Sequence, residues 1–233
     1  MKRKIAQKIR TVLYIIVFVS ATFSAYAEDF LHPNDVVDKM KIHFKKIETY
    51  KAEFNIKSKE KNKLLVSKGL AYYKKGGYIN FTFKNPSGDL IISNGKKMWV
   101  YIASLKAVGI QDLDVSSNSK NIYNAGSYEG LVNLFRRYHY RFDTPKQPVV
   151  KSKKKYFVLL LEEKEKSGGF ETMLVYVDAK SYLISSIVAS LPSGRQVTLE
   201  FDNIELNKEI PGNMFSYKLK PDDKVVENPL VTE

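Results

Sequence analysis

Residues 69–101 read GLAYYKKGGYINFTFKNPSGDLIISNGKKMWVY, and the fold turns on this stretch. Ile79, Phe81 and Phe83 alternate with Asn80 and Thr82, the period of an extended chain whose side chains point to opposite faces in turn. Gly76-Gly77 separates a strand over 64–74 from one over 78–84, and Pro86-Ser87-Gly88 ends the second. Strands over 90–93 and 96–102 flank Asn94-Gly95, the strongest short hairpin signal a sequence carries. A two-residue turn there pairs Ile91 with Met98, which puts both on one face.

Outward from this stretch, strands continue on both sides. Upstream, Ala52, Phe54 and Ile56 alternate with Glu53, Asn55 and Lys57, the pattern of a half-buried strand. Before them Val36, Val37, Met40, Phe44 and Ile47 recur at helical spacing, with Asn34 as the expected N-cap. Downstream, a short strand is expected over 107–111 and a polar loop over 112–126. Ser127 then caps a second helix whose apolar face is Leu131, Leu134, Phe135 and Tyr138. Pro145 and Pro148 break the chain, and strands are expected over 156–162, 170–177, 182–189, 196–201 and 215–219. Short turns join most of these, so consecutive strands are antiparallel neighbours in a long meander. No internal repeat or domain linker interrupts it.

The stretches 157–161 and 173–177 are apolar at every position. An antiparallel strand that wets one face alternates, so these need cover on both sides or a cavity on one. Pattern alone leaves a packed core and an apolar pocket as equal readings.

The N-terminus has the form of a secretory signal. Lys2, Arg3, Lys4, Lys8 and Arg10 precede an apolar run over 12–19, and Ala25-Tyr26-Ala27 is an A-x-A cleavage site. That run is shorter than the roughly 20 residues needed to span a bilayer. The expected organisation is a signal peptide over 1–27 and a single domain over 28–233. Removing the five basic residues lowers the formal charge from +13 to +8, still basic enough to meet anionic lipid or acidic partners. The chain has no cysteine, which excludes disulfides, thiolate chemistry and acylation of a cysteine after the signal.

Catalytic patterns are missing. There is no G-x-S-x-G elbow, H-E-x-x-H, EF-hand loop or phosphate-binding glycine motif. The histidines are His32, His43 and His139, scattered along the chain. Glu162, Glu163 and Glu165 are interleaved with lysines beside a turn, the composition of a solvated hairpin end. The run 136–141, RRYHYR, places arginines where they oppose a helix dipole, so nucleic-acid binding is not expected. The residues lead to a binding protein, not an enzyme, with no cofactor and no metal.

The order of these motifs resembles the outer-membrane lipoprotein carrier (sorting) protein family. The resemblance is carried by Gly69, Tyr72-Tyr73, Lys74-Lys75, residues 78–83, Pro86, residues 90–92, Asn94-Gly95 and Trp99-Val100-Tyr101. The opening helix and strand over 34–56 fit as well, as do residues 197–201 with Asn207 and Ile210, and Phe215, Pro221 and Val225. The resemblance implies a mostly β, α+β fold: a single curved antiparallel sheet forming an open half-barrel, covered on its concave side by short helices. It implies a monomeric periplasmic carrier that escorts acylated lipoproteins from the inner to the outer membrane. Its partners would be an ATP-driven inner-membrane transporter and an outer-membrane receptor. The alternative on the same fold is a lipid-sensing regulatory module, which usually carries an additional domain.

The resemblance also selects the face. Ile79, Phe81, Phe83, Ile91, Met98 and Val100 would line the acyl-chain cavity, with Leu131, Leu134 and Phe135 facing it from the second helix. Shielding acyl chains from water is worth about 0.8 kcal/mol per methylene, so a chain of ~16 carbons gains on the order of 10 kcal/mol. Lys75 and Gly76 stand where the family often has Arg-Pro. Lys75 would act as the lid latch, reaching carbonyls at the end of a lid helix. It keeps the charge but lacks the planar fork of arginine donors. Ile102 and Ala103 replace a proline that tends to follow the W-x-Y motif.

Overall fold

The computed structural model describes residues 31–60, 63–113, 128–165 and 169–227. The signal segment over 1–27, the Ser127 cap and residues 114–126 of the polar loop lie outside the described residues. Pro33–Glu233 clusters as one unit, separate from Met1–His32.

Helix α1 (Pro33–Lys45) buries Val36, Val37, Met40 and Phe44 along one face. It starts at Pro33, whose fixed φ suits a first helical position and whose missing N–H is not needed there. Asn34 is therefore inside the first turn, not at the cap, and its Oδ1 accepts a hydrogen bond from the Tyr140 hydroxyl at 2.8 Å.

β1 (Thr49–Glu60), β2 (Lys63–Lys74), β3 (Tyr78–Asn85), β4 (Ser87–Asn94), β5 (Lys97–Ile102) and β6 (Ala107–Asp112) form a meander of antiparallel neighbours. α2 (Tyr128–Arg137) leads directly into β7 (Tyr138–Phe142). Then come β8 (Val149–Lys151), β9 (Lys154–Glu163), β10 (Thr172–Asp178), β11 (Ile184–Ser190), β12 (Gln196–Leu206) and β13 (Lys224–Glu227). The spatial order is β13-β6-β5-β4-β3-β2-β1-β12-β11-β10-β9-β7, with β8 beside β9. Among the described residues the two ends of this order do not pair, and the sheet is open. It is a mostly β half-barrel with the two helices on its concave side. Every joint is antiparallel except β13–β6, which is parallel, with Val225 opposite Val108.

The halves meet where β1 pairs β12, through Phe54 opposite Phe201 and Ile56 opposite Leu199. In-register partners share a face. One continuous face thus carries Phe54, Phe81, Ile91 and Val100 on one wing, and Leu199, Ile187, Val175 and Leu159 on the other. The helices lie on this face. Tyr140, in register with Leu161, bonds to Asn34 of α1 and packs its ring 5.0 Å from Phe135 of α2. Phe157 stacks on Tyr182, which in turn meets His43 of α1.

The outer face of β3–β6 is partly covered by the C-terminal segment. Tyr78 packs edge-on to Phe215, Tyr101 lies against Tyr217, and Asn80 Nδ2 donates to the Met214 carbonyl at 2.6 Å. Residues 215–219, expected as a strand, contain no strand. A 3-10 turn, Gly212–Phe215, instead drops Phe215 into the outer face, where it is 1% exposed. Burying that ring outweighs the local strand propensity of the segment.

Two more expectations change. The Asn94-Gly95 hairpin pairs Ser93 with Met98 and Ile91 with Val100. The strands leave Gly95-Lys96 between them, one residue further along than Asn94-Gly95, and the Asn94 side chain accepts from Lys96 N and Lys97 N. Because the shift is an even number of residues, Ile91, Met98 and Val100 stay on one face. Tyr138 belongs to β7 and not to the second helix. It is 3% exposed, and its hydroxyl donates to the Phe170 carbonyl at 3.0 Å.

Of the two all-apolar stretches, residues 157–161 on β9 are buried on both faces at Phe157, Val158 and Leu159. The 143–148 segment crosses there, with Gln147 Oε1 accepting from Val158 N. β10 alternates, burying Met173, Val175 and Val177 and leaving Leu174 and Tyr176 half-buried.

Candidate functional site

The strand residues named from the sequence come together on the concave face. Phe81 is in register with Ile91, and Ile91 with Val100. Ile79 faces Ser93, which faces Met98. Ile79 and Met98 are buried, whereas Phe81, Phe83, Ile91 and Val100 are half-buried. The face therefore presents a graded apolar surface: closed near the Ser93 end, open toward Phe83.

At its centre stands Phe54, which the sequence reading did not single out. Its ring lies 5.3 Å from Phe81 and 5.0 Å from Phe83, both edge-on, the preferred aromatic geometry. The contact depends on Gly69, between Phe54 and Phe83 in the ladder. A Cβ at Gly69 would meet the Phe54 ring at 2.8 Å and collide with the Thr82 carbonyl. The alternation of Ala52, Phe54 and Ile56 carried the signal for Phe54, but not its partners.

The helix residues stand elsewhere. Leu131 is 0% and Phe135 5% exposed, and Leu134 is half-buried. Their helix packs on α1 and on β7, the last strand of the wing opposite β3–β5. The two groups of residues thus occupy the same side of the sheet on different wings.

Lys75 follows β2, in the Gly76-Gly77 turn. Its Nζ donates to Glu48 Oε1 at 2.7 Å, and its backbone N donates to the Glu48 carbonyl at 2.9 Å. The partner is a carboxylate after α1, not the helix carbonyls expected from the sequence. A hydrogen bond and the charge of Glu48 hold the Lys75 ammonium above its ordinary range, and Glu129 in the first turn of α2 adds a weaker attraction. Lys75 therefore stands among acidic groups from both helical regions. Glu48 is itself set by Asn207, whose Oδ1 accepts from Glu48 N at 2.8 Å and whose Nδ2 donates to the Lys46 carbonyl. Asn207 adopts φ +55°, a left-handed conformation that asparagine tolerates better than most residues.

A separate cavity of about 240 Å³ opens on the outer side, between Tyr72, Lys208 and Met214. The Lys51–Glu205 ion pair at 2.7 Å forms part of its wall, a poor match for an acyl chain. Among the described residues no group of three or more His, Asp or Glu is placed to hold a metal ion, and no helix is long and apolar enough to cross a membrane.

A sequence profile described as outer membrane lipoprotein carrier protein LolA matches residues 45–218, well over half of the chain. The chain belongs to the outer membrane lipoprotein carrier family. Among curated proteins, none matches the chain. Among solved structures, an uncharacterized conserved protein from Thermus thermophilus superposes with a TM-score of 0.54 at 12% identity, over 83% of this chain and 98% of that one. A LolA superfamily protein from Nitrosomonas europaea gives 0.41 at 12% identity, over 80% and 98% of the two chains. The lipoprotein LppX from Mycobacterium tuberculosis gives 0.41 at 10%, over 77% and 98%. The carrier family is one of binding proteins that act outside the cytoplasm. Its matched span includes the whole strand group of the concave face, together with Glu48, Lys75 and Asn207.

Proposed function

We propose that this protein is a periplasmic carrier that holds the acyl chains of lipoproteins on its concave face and escorts them from the inner to the outer membrane. An ATP-driven inner-membrane transporter loads it, since extracting an acyl chain of ~16 carbons costs on the order of 10 kcal/mol. An outer-membrane receptor takes the cargo. Residues 1–27 serve as the signal that brings the chain to the periplasm.

The observation that carries this reading is the half-buried apolar surface on the concave face of β3–β5. The outer face of these strands is covered at Asn80 and Tyr101 by the segment that carries Phe215 and Tyr217, while Phe81, Phe83, Ile91 and Val100 on the concave face remain half-buried around Phe54. An apolar surface of aromatic and branched side chains, with few polar groups, suits a ligand made of methylenes. Leu131, Leu134 and Phe135 of α2 extend the same apolar side on the opposite wing, and Lys75 latches the helical cover through its ion pair with Glu48, with Glu129 attracting it more weakly.

Native mass spectrometry of the protein purified from periplasm tests the reading. Diacylated or triacylated lipoproteins should co-purify with it. Recovery of free phospholipid or a soluble small molecule, with no acylated protein, would overturn the escort function.

A further inference from the structure

The β1–β2 hairpin ends in a patch that the carrier reading leaves unused. β2 runs on past β3, whose last residue in register is Asn85, opposite Lys68. Among the described residues, no strand pairs with residues 63–67 on that side. There Leu64 and Leu65 are 60% and 56% exposed, opposite Lys59 and Ser58 of β1. Lys59, Lys63 and Lys68 around them are exposed as well. Antiparallel connectivity puts the β3–β4, β5–β6 and β11–β12 turns at this same end of the sheet. Those turns add exposed Lys84 and Arg195, and Leu105 at 62% exposure, whereas Lys106 is ion-paired with Asp222 at 2.7 Å.

Adjacent exposed leucines on a free strand edge ordinarily invite another strand, and edge lysines oppose that pairing between copies of one chain. Leucines set among lysines instead suit the surface of an anionic bilayer. The apolar side chains enter the boundary between headgroups and acyl chains while the ammonium groups meet phosphates. An acidic protein would satisfy the lysines but leave the leucines, which project from both faces of the hairpin, without a groove.

We propose that this hairpin end, Leu64 and Leu65 with Lys59, Lys63 and Lys68, is the contact by which the protein docks on anionic lipid bilayers. The proposal rests on the carrier reading, because cargo that leaves one bilayer and enters another must pass at a bilayer surface.

Co-sedimentation with vesicles tests it. The purified protein is mixed at low salt with vesicles of phosphatidylcholine alone or with added phosphatidylglycerol. Binding to the phosphatidylglycerol vesicles is expected, falling about fivefold for each lysine replaced in Lys59→Ala and Lys63→Ala. The double variant Leu64→Ser/Leu65→Ser should lose about tenfold. No vesicle binding by the wild-type protein, equal binding to both vesicle types, or variants that bind like wild type would each overturn the proposal. So would self-association that vanishes in the leucine variant without vesicle binding. A fluorescent fatty acid titrated into the same samples separates the two readings. Intact vesicle binding without fatty-acid binding removes the carrier reading and leaves the docking surface, while the reverse result removes only the docking surface.

Discussion

Gly69 shows how one residue fixes the site. Its lack of a side chain lets the Phe54 ring lie against β2 while the strand pairs closely with Thr82. Gly69→Ala should destabilise the protein by about 2–3 kcal/mol, because the backbone at Thr82 cannot yield as a side chain would. Urea unfolding checks this, and a loss below about 0.5 kcal/mol would show that the ladder relaxes. Lys75 is the opposite case. It sits in solvent with Glu48, and exposed pairs contribute little to folding but can bias an open–closed equilibrium. Lys75→Leu should leave the melting temperature unchanged and alter the handover of a labelled lipoprotein to outer-membrane vesicles. Unchanged transfer kinetics would remove Lys75 from the lid mechanism. Lys75 was legible in the sequence as a position in a motif. Its partner was not, because Glu48 is oriented by Asn207, more than 150 residues further along the chain.

At the scale of the elements, α2 separates two roles along one helix. Leu131 is fully buried and Leu134 only partly. Leu131→Ala should cost about 2–4 kcal/mol in chemical denaturation, the range for a buried leucine that leaves a cavity. Leu134→Glu should keep the fold, with the helix displaced so that the new charge reaches water, and should weaken retention of a lipoprotein in pull-down. Unfolding of Leu134→Glu would make this helix ordinary core, and undiminished retention would take it out of the lid. Helix periodicity showed this face in the sequence but ran one residue too far. Tyr138 keeps the helical spacing, yet it opens β7, where its hydroxyl reaches Phe170. Local pattern could not tell the two apart because the deciding contact is with a distant segment. The hairpins fared differently. Asn94-Gly95 marked its turn to within one residue, and although the register moved by two residues, the faces of Ile91, Met98 and Val100 were preserved by the period of the strand.

Over the whole molecule, the order of neighbouring strands was readable from turns, and the closure of the two wings was not. β1 pairs with β12 and β6 with β13, joints between segments far apart in sequence that no local alternation encodes. The same holds for the C-terminal segment, whose Phe215 covers part of the outer face of β3–β5. The central claim is that the concave face, and not its reverse, holds the acyl chain. Photo-crosslinking tests it most directly. A photoreactive phenylalanine analogue is placed at Phe81, on the concave side, or at Trp99, in register with Ile92 on the outer side. The protein is then irradiated in complex with a lipoprotein carrying radiolabelled acyl chains. The account predicts a labelled adduct at position 81 and none at position 99; label at 99 with none at 81 would contradict it.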